Sequence, residues 1–141
     1  MPIDAVVADA NALLSCMIGR AALRVITDYR VGLHAARFNV EEVRKYLPSL
    51  AAKYQVSPQL VEIRWGVLSF HVYEPEEYCR QFPRALAELE KRDPKDAHAL
   101  ALARALGLPL WSNDRDFASL DIECYSTARL LERLAREQSP E

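Results

Sequence analysis

Apolar positions along this chain come in two arrangements: short unbroken runs, and longer stretches in which they recur every three or four residues. Ile3 to Ala8 (IDAVVA) is an apolar run that stops at Asp9, and it reads as a buried strand feeding a helix that begins near Asn11. Two short helices are expected next. Val31 to Ala35 (VGLHA) supplies a second strand, after which Asn39 stands as the N-cap of a helix through VEEVRKYLPSLAAKY, with Pro48 as a kink point. Ser57-Pro58 opens a further helix with serine at the cap and proline at the first helical position. Val67 to Tyr73 fits either the end of that helix or a short extended segment, and Pro75, Glu76 and Glu77 begin a helix again. Asp93-Pro94 caps the next helix, which Gly107 stops. LPLWS then reads as a strand that tolerates Pro109 near its start, IECYS as the last strand, and Thr127 as the start of a terminal helix.

Strands separated by helical crossovers form parallel sheets covered on both faces, so the expected architecture is α/β, a three-layer α/β/α sandwich around a central parallel sheet. With 141 residues, half of them hydrophobic, the chain can bury a core without staples, and residues 1–141 are expected to make a single domain. Cys16, Cys79 and Cys124 are odd in number and widely spaced, which fits neither a disulfide framework nor a zinc site and points to a reducing, cytoplasmic setting. The opening MPIDAVVADANALL has an acid inside its apolar stretch and no basic lead, and no run is long enough to cross a bilayer, so a soluble, unprocessed protein without a membrane partner is expected. Only four glycines exist, too few and too scattered for a backbone cradle around a nucleotide phosphate, which excludes P-loop and dinucleotide-binding readings.

Charge changes the picture through its placement. Lys plus Arg number 18 against 20 Asp plus Glu, so the total gives no sign of a polyanion partner. Basic residues concentrate between Arg20 and Lys53, and Arg129, Arg133 and Arg136 recur at helical spacing near the end. Solvated helix faces are the first reading of both patterns, with phosphate contact as the alternative. The acids are more telling. Asp9, Glu42, Asp96, Asp114 and Asp116 all fall where a strand hands over to a helix or where a helix begins. Singly, most have a structural explanation: Glu42 completes a capping box with Asn39, Asp96 sits in the first turn after Asp93, and Asp114 caps a short helix. Asp9 does not, because a carboxylate closing a buried strand needs compensating charge. In a parallel sheet the loops leaving the carboxyl ends share one rim, where these acids can meet. Hard oxygen ligands without His or Cys select Mg²⁺ or Mn²⁺, ions that serve phosphoryl chemistry, so metal-dependent phosphodiester hydrolysis is the expected reaction. His34, His71 and His98 are scattered and read as structural, as do Trp65 and Trp111.

Two blocks carry a family resemblance. VVADANALLS and DPKDAHALALARALGLPLWSNDRDF, with NVEEVRKYL between them, resemble the PIN-domain ribonucleases, the family that includes the VapC toxins of toxin–antitoxin pairs. The resemblance implies an α/β/α fold, Mg²⁺ or Mn²⁺ as cofactor, RNA as substrate, frequent homodimers and, for a toxin, an antitoxin protein as partner. It further implies that Asp9, Asp96 and Asp114 hold the metal, with Asp116 in the outer part of the site. Glu42 becomes a ligand or water-orienting base, chosen over Glu41 because Val43 follows it directly, while Asn11 and Ser112 order the carboxylates by hydrogen bonding. The competing expectation is a PIN-like scaffold that binds RNA or a protein without cutting.

Overall fold

The computed structural model describes residues 2–89 and 93–138, with the backbone but not the side chain of Asp116. Five strands form one sheet: β1 (Ala5–Ala8), β2 (Gly32–Ala36), β3 (Phe70–Tyr73), β4 (Leu110–Trp111) and β5 (Cys124–Tyr125). Their spatial order is β3-β2-β1-β4-β5 and every pairing is parallel. The chain lays β2 and β3 outward on one side of β1, then returns to the other side for β4 and β5. The reversal falls between β1 and β4, and a crevice opens at the carboxyl ends of strands at such a point.

Period-two alternation sends the strands' side chains to two cores. Val6, Ala8, Leu33, Ala35 and Trp111 face one layer, built from α1 (Ala10–Ile18), α2 (Arg20–Thr27), α3 (Arg37–Lys53), α4 (Pro58–Val67) and α7 (Thr127–Gln138). Val7, Ala36 and Leu110 face the other, built from α5 (Phe82–Glu88) and α6 (Ala97–Leu106) with Tyr78 and Phe117. This is the expected three-layer α/β/α sandwich. In α6 the buried positions are Ala97 and the run Ala99 to Ala103, and small side chains on nearly every side let the helix lie close against the sheet. Gly107 ends it at φ +67, in the left-handed region, with open space where a Cβ would stand. Gly107→Ala is therefore expected to cost about 1–2 kcal/mol from backbone conformation alone, read as a lower midpoint in urea unfolding.

Several sequence expectations are corrected. Asn39 is not an N-cap: β2 runs directly into α3 at Arg37, and Ala36 holds the cap position. Asn39, Val43 and Leu47 instead repeat every four residues along the buried side of α3, so no capping box forms with Glu42. Pro48 lies within a helix that continues to Lys53. Val67 to Tyr73 resolves into the end of α4 and β3. Pro75–Glu77 makes only a single 3₁₀ turn, closed by the Glu74 N–H on Glu77 at 2.9 Å, before the separate α5. LPLWS shortens to two paired residues, because Pro109 lacks an N–H, although its carbonyl still accepts from Val7 at 2.9 Å. Arg129 and Arg133 both lie over the Tyr125 ring, and Arg133 pairs with Glu137, so part of the terminal basic face is engaged within the fold. The three cysteines are free, and no single helix among the described residues is long and apolar enough to cross a membrane.

Candidate functional site

The register Ala8↔Trp111 brings the next residues, Asp9 and Ser112, side by side at the carboxyl ends of β1 and β4. Asp9 is the N-cap of α1. Its backbone N–H donates to the Trp111 carbonyl at 3.3 Å, and its side chain accepts the Ala12 N–H at 2.8 Å, the bond by which a carboxylate satisfies an open helix terminus. Only 2% of Asp9 is exposed. The Ser112 side chain also hydrogen-bonds Asp9, and its oxygen accepts the Asp114 backbone N–H at 3.0 Å. One buried hydroxyl thus ties the two acids to each other.

Asp96 arrives from the opposite layer. Asp93 caps the 3₁₀ turn Pro94–Asp96 by accepting the Lys95 N–H, and that turn delivers Asp96 to the N-terminus of α6. There it shares a hydrogen bond with Asp114 and lies within range of the Asp9 charge. Glu42, half-buried on α3, adds its field to Asp9. Glu41 is exposed and acts on Arg37 instead. Four acids from four separate segments therefore converge at the carboxyl ends of β1 and β4.

The convergence is visible in their affinity for protons. Burial pushes the Asp9 carboxyl up to about 6, and the Asp114 and Glu42 charges add to the rise against the Ser112 and Ala12 hydrogen bonds. Asp96 is raised to about 7, by burial first and then by Asp9, Asp114 and Asp93. The Cys124 thiol beside them is pushed up to about 11, again by burial first and then by Asp9. Carboxyls that are buried and mutually repelled gain from any cation that neutralises them.

Of the residues singled out from sequence, Asp9, Glu42, Asp96, Asp114 and Ser112 are gathered here. Asn11 sits at the same rim, but its side chain accepts from Asn113 at 3.3 Å. Asn113 in turn accepts the Thr127 N–H at 2.8 Å, and the Thr127 hydroxyl accepts from the Trp111 indole at 3.0 Å, bracing α1, β4 and α7 together. The Asp116 side chain lies outside the described residues. Lys95, which sequence reasoning passed over, places Nζ 3.8 Å from a Glu42 oxygen, and its position next to Asp96 was the available signal. His98 is structural as expected: its Nδ1 meets the Tyr78 hydroxyl at 2.7 Å.

The donor set is wholly oxygen, anionic and partly desolvated, which fits Mg²⁺ or Mn²⁺ by chemistry. Among the described residues, however, no group of three or more His, Cys, Asp or Glu side chains is arranged to hold an ion. The chain belongs to the PIN domain family, whose model matches residues 7–135. Its fold is similar to that of a chain in a toxin–antitoxin complex from Klebsiella pneumoniae, at 21% identity and a TM-score of 0.64, with 86% of this chain and 97% of that one covered. PAE2754 from Pyrobaculum aerophilum is similar at 21% identity and a TM-score of 0.66, over 96% of this chain and 98% of that one. At these identities the likeness concerns the fold alone. No curated protein sequence matches the chain.

Proposed function

We propose that the chain is a metal-dependent endoribonuclease, with Asp9, Asp96 and Asp114 as the ligands of Mg²⁺ or Mn²⁺ and Asp116 in the outer part of the site. The observation that carries this reading is the convergence of Asp9, Glu42, Asp96 and Asp114 at the sheet's reversal point, with Asp9 and Asp96 both holding protons more tightly than ordinary carboxyls. When bound, a divalent ion supplies positive charge to the attacked phosphate and acidifies a water molecule. The protein's own part is positional. Ser112 holds the Asp9 carboxyl and the backbone of Asp114, and Glu42 would orient the attacking water and take its proton. Ser112→Ala is expected to lower cutting about ten- to a hundred-fold while the fold survives, measured as the cleavage rate over a range of metal concentrations.

The same reading includes a cytoplasmic single domain over residues 1–141 that works as a homodimer. As a toxin it would be held by an antitoxin protein. Membership of the PIN domain family and the fold shared with a chain from a toxin–antitoxin complex support it. Leu60, Ile63 and Val67, exposed at helical spacing on α4, favour a protein partner. A non-catalytic scaffold is the second reading, favoured by the lack of a closed ligand set among the described residues. Incubating the purified protein with a mixed structured RNA pool in Mg²⁺, Mn²⁺ or EDTA separates the two: cutting with metal and none in EDTA supports the nuclease, and intact RNA in all three supports the scaffold.

A further inference from the structure

Beside the acids, α3 presents a stripe of which hydrolysis itself uses only Glu42. Phe38, Glu41, Glu42, Lys45 and Tyr46 recur at the spacing of one helical face and, with Lys95, line a cleft of about 480 Å³. Phe38 leaves 36% and Tyr46 50% of its surface in water. The Phe38 ring is nevertheless held: it lies flat on His98, with centroids 4.1 Å apart and planes 12° apart. His98 in turn is fixed by the Tyr78 hydroxyl and packs on Phe82 at 4.7 Å. Lys45 makes no ion pair among the described residues, whereas Lys95 reaches Glu42.

An aromatic ring backed by a second ring and open to a polar cleft is a stacking platform, and any nucleobase offers a face to it. Lys45 and Lys95 put two ammonium groups into the same cleft, and Lys95 is paired with Glu42, which leaves Lys45 to meet a phosphate. Glu41 and Glu42 limit that charge, so the contact suits one phosphate or two and not a long track. We infer that this cleft seats an unpaired nucleotide of the RNA strand beside the cutting site, its base stacked on Phe38 and its phosphate near Lys45, an assignment that rests on the nuclease reading. Bases in a duplex cannot present their faces, so the cleft selects single-stranded segments.

The test uses the full chain carrying Asp96→Asn, so that nothing is cut, and fluorescence anisotropy with short labelled oligouridylate and oligoadenylate. Phe38→Leu is expected to weaken binding about ten-fold and Phe38→Trp to restore it, while an oligomer lacking its central bases binds with and without Phe38→Leu alike. Lys45→Ala should lower the slope of log affinity against log salt by about 0.7. Unchanged binding in Phe38→Leu, or an equal loss for the oligomer without bases, overturns the inference. Should no single-stranded oligomer bind while the parent still cuts RNA, the inference falls and the nuclease reading stands; if RNA is neither bound nor cut, both fall. Loss of a protein partner alone in the cleft variants would assign the cleft to protein and also overturn it.

Discussion

Asp9→Asn is expected to reduce RNA cutting at least about a thousand-fold and, in EDTA at pH 8, to raise the melting temperature. The two effects have one cause. Asp9 is the most buried of the four converging acids, and on the proposed nuclease reading its loss removes a ligand from a set that works as a unit. Its negative charge also strains the metal-free fold: it is desolvated and faces Asp114 and Glu42, which together push its carboxyl up to about 6. Asparagine keeps the acceptor for the Ala12 N–H, since Asn and Asp cap helices equally well, and discards the charge. A rise of roughly two pKa units corresponds to about 2–3 kcal/mol at pH 8, or several degrees in melting temperature. Cleavage assays and calorimetric melting of the two proteins check both halves. A variant that melts well below the parent would show Asp9 to be structural.

The second large effect is a stability that falls with rising pH when metal is withheld. Asp9 and Asp96 start from an ordinary value of 3.8 and are raised in the fold to about 6 and about 7. The folded protein therefore binds more protons than the unfolded chain between about pH 4 and 7, and stability declines as pH rises through that window. Below 3.8 the contribution of these two carboxyls is fully present, and above 7 it is gone. Glu88 acts in the opposite sense and lower down: hydrogen bonding to Arg104 pulls its carboxyl below the ordinary 4.5, so its stabilisation is lost only in acid. Millimolar Mg²⁺ at pH 8 should restore what deprotonation removes, by about 2.7 kcal/mol at a hundred-fold excess over its dissociation constant. Urea unfolding across pH, with and without Mg²⁺, is the check; a pH-independent midpoint between 4 and 7 in EDTA would contradict the field assigned to the crevice.

Much of this site is legible in sequence because the signals are local. An apolar run that stops at Asp9 marks the end of β1, Asp93-Pro94 and Gly107 bracket the helical segment containing α6, and parallel topology places strand ends on one rim. Choices that depend on distant packing are not. Asn39 has the chemistry of a cap, but the direct turn from β2 into α3 puts it within the first turn, on the buried face. Glu41 and Glu42 share their chemistry, and beyond the resemblance that favours Glu42 it is the rotation of α3 against the sheet that sets Glu42 toward Asp9 and Glu41 toward Arg37. Nothing local pairs Phe38 with His98, sixty residues later in the chain, or Lys95 with Glu42.

Calorimetric titration of Mn²⁺ into parent and Asp96→Asn protein shows whether these carboxylates form the cation site that the proposed hydrolysis needs. At pH 6.5, binding to the parent should release protons, because Asp9 and Asp96 are partly protonated there, with clearly weaker binding to Asp96→Asn. Equal binding to both proteins, or none to the parent, would mean that these carboxylates are not a cation site.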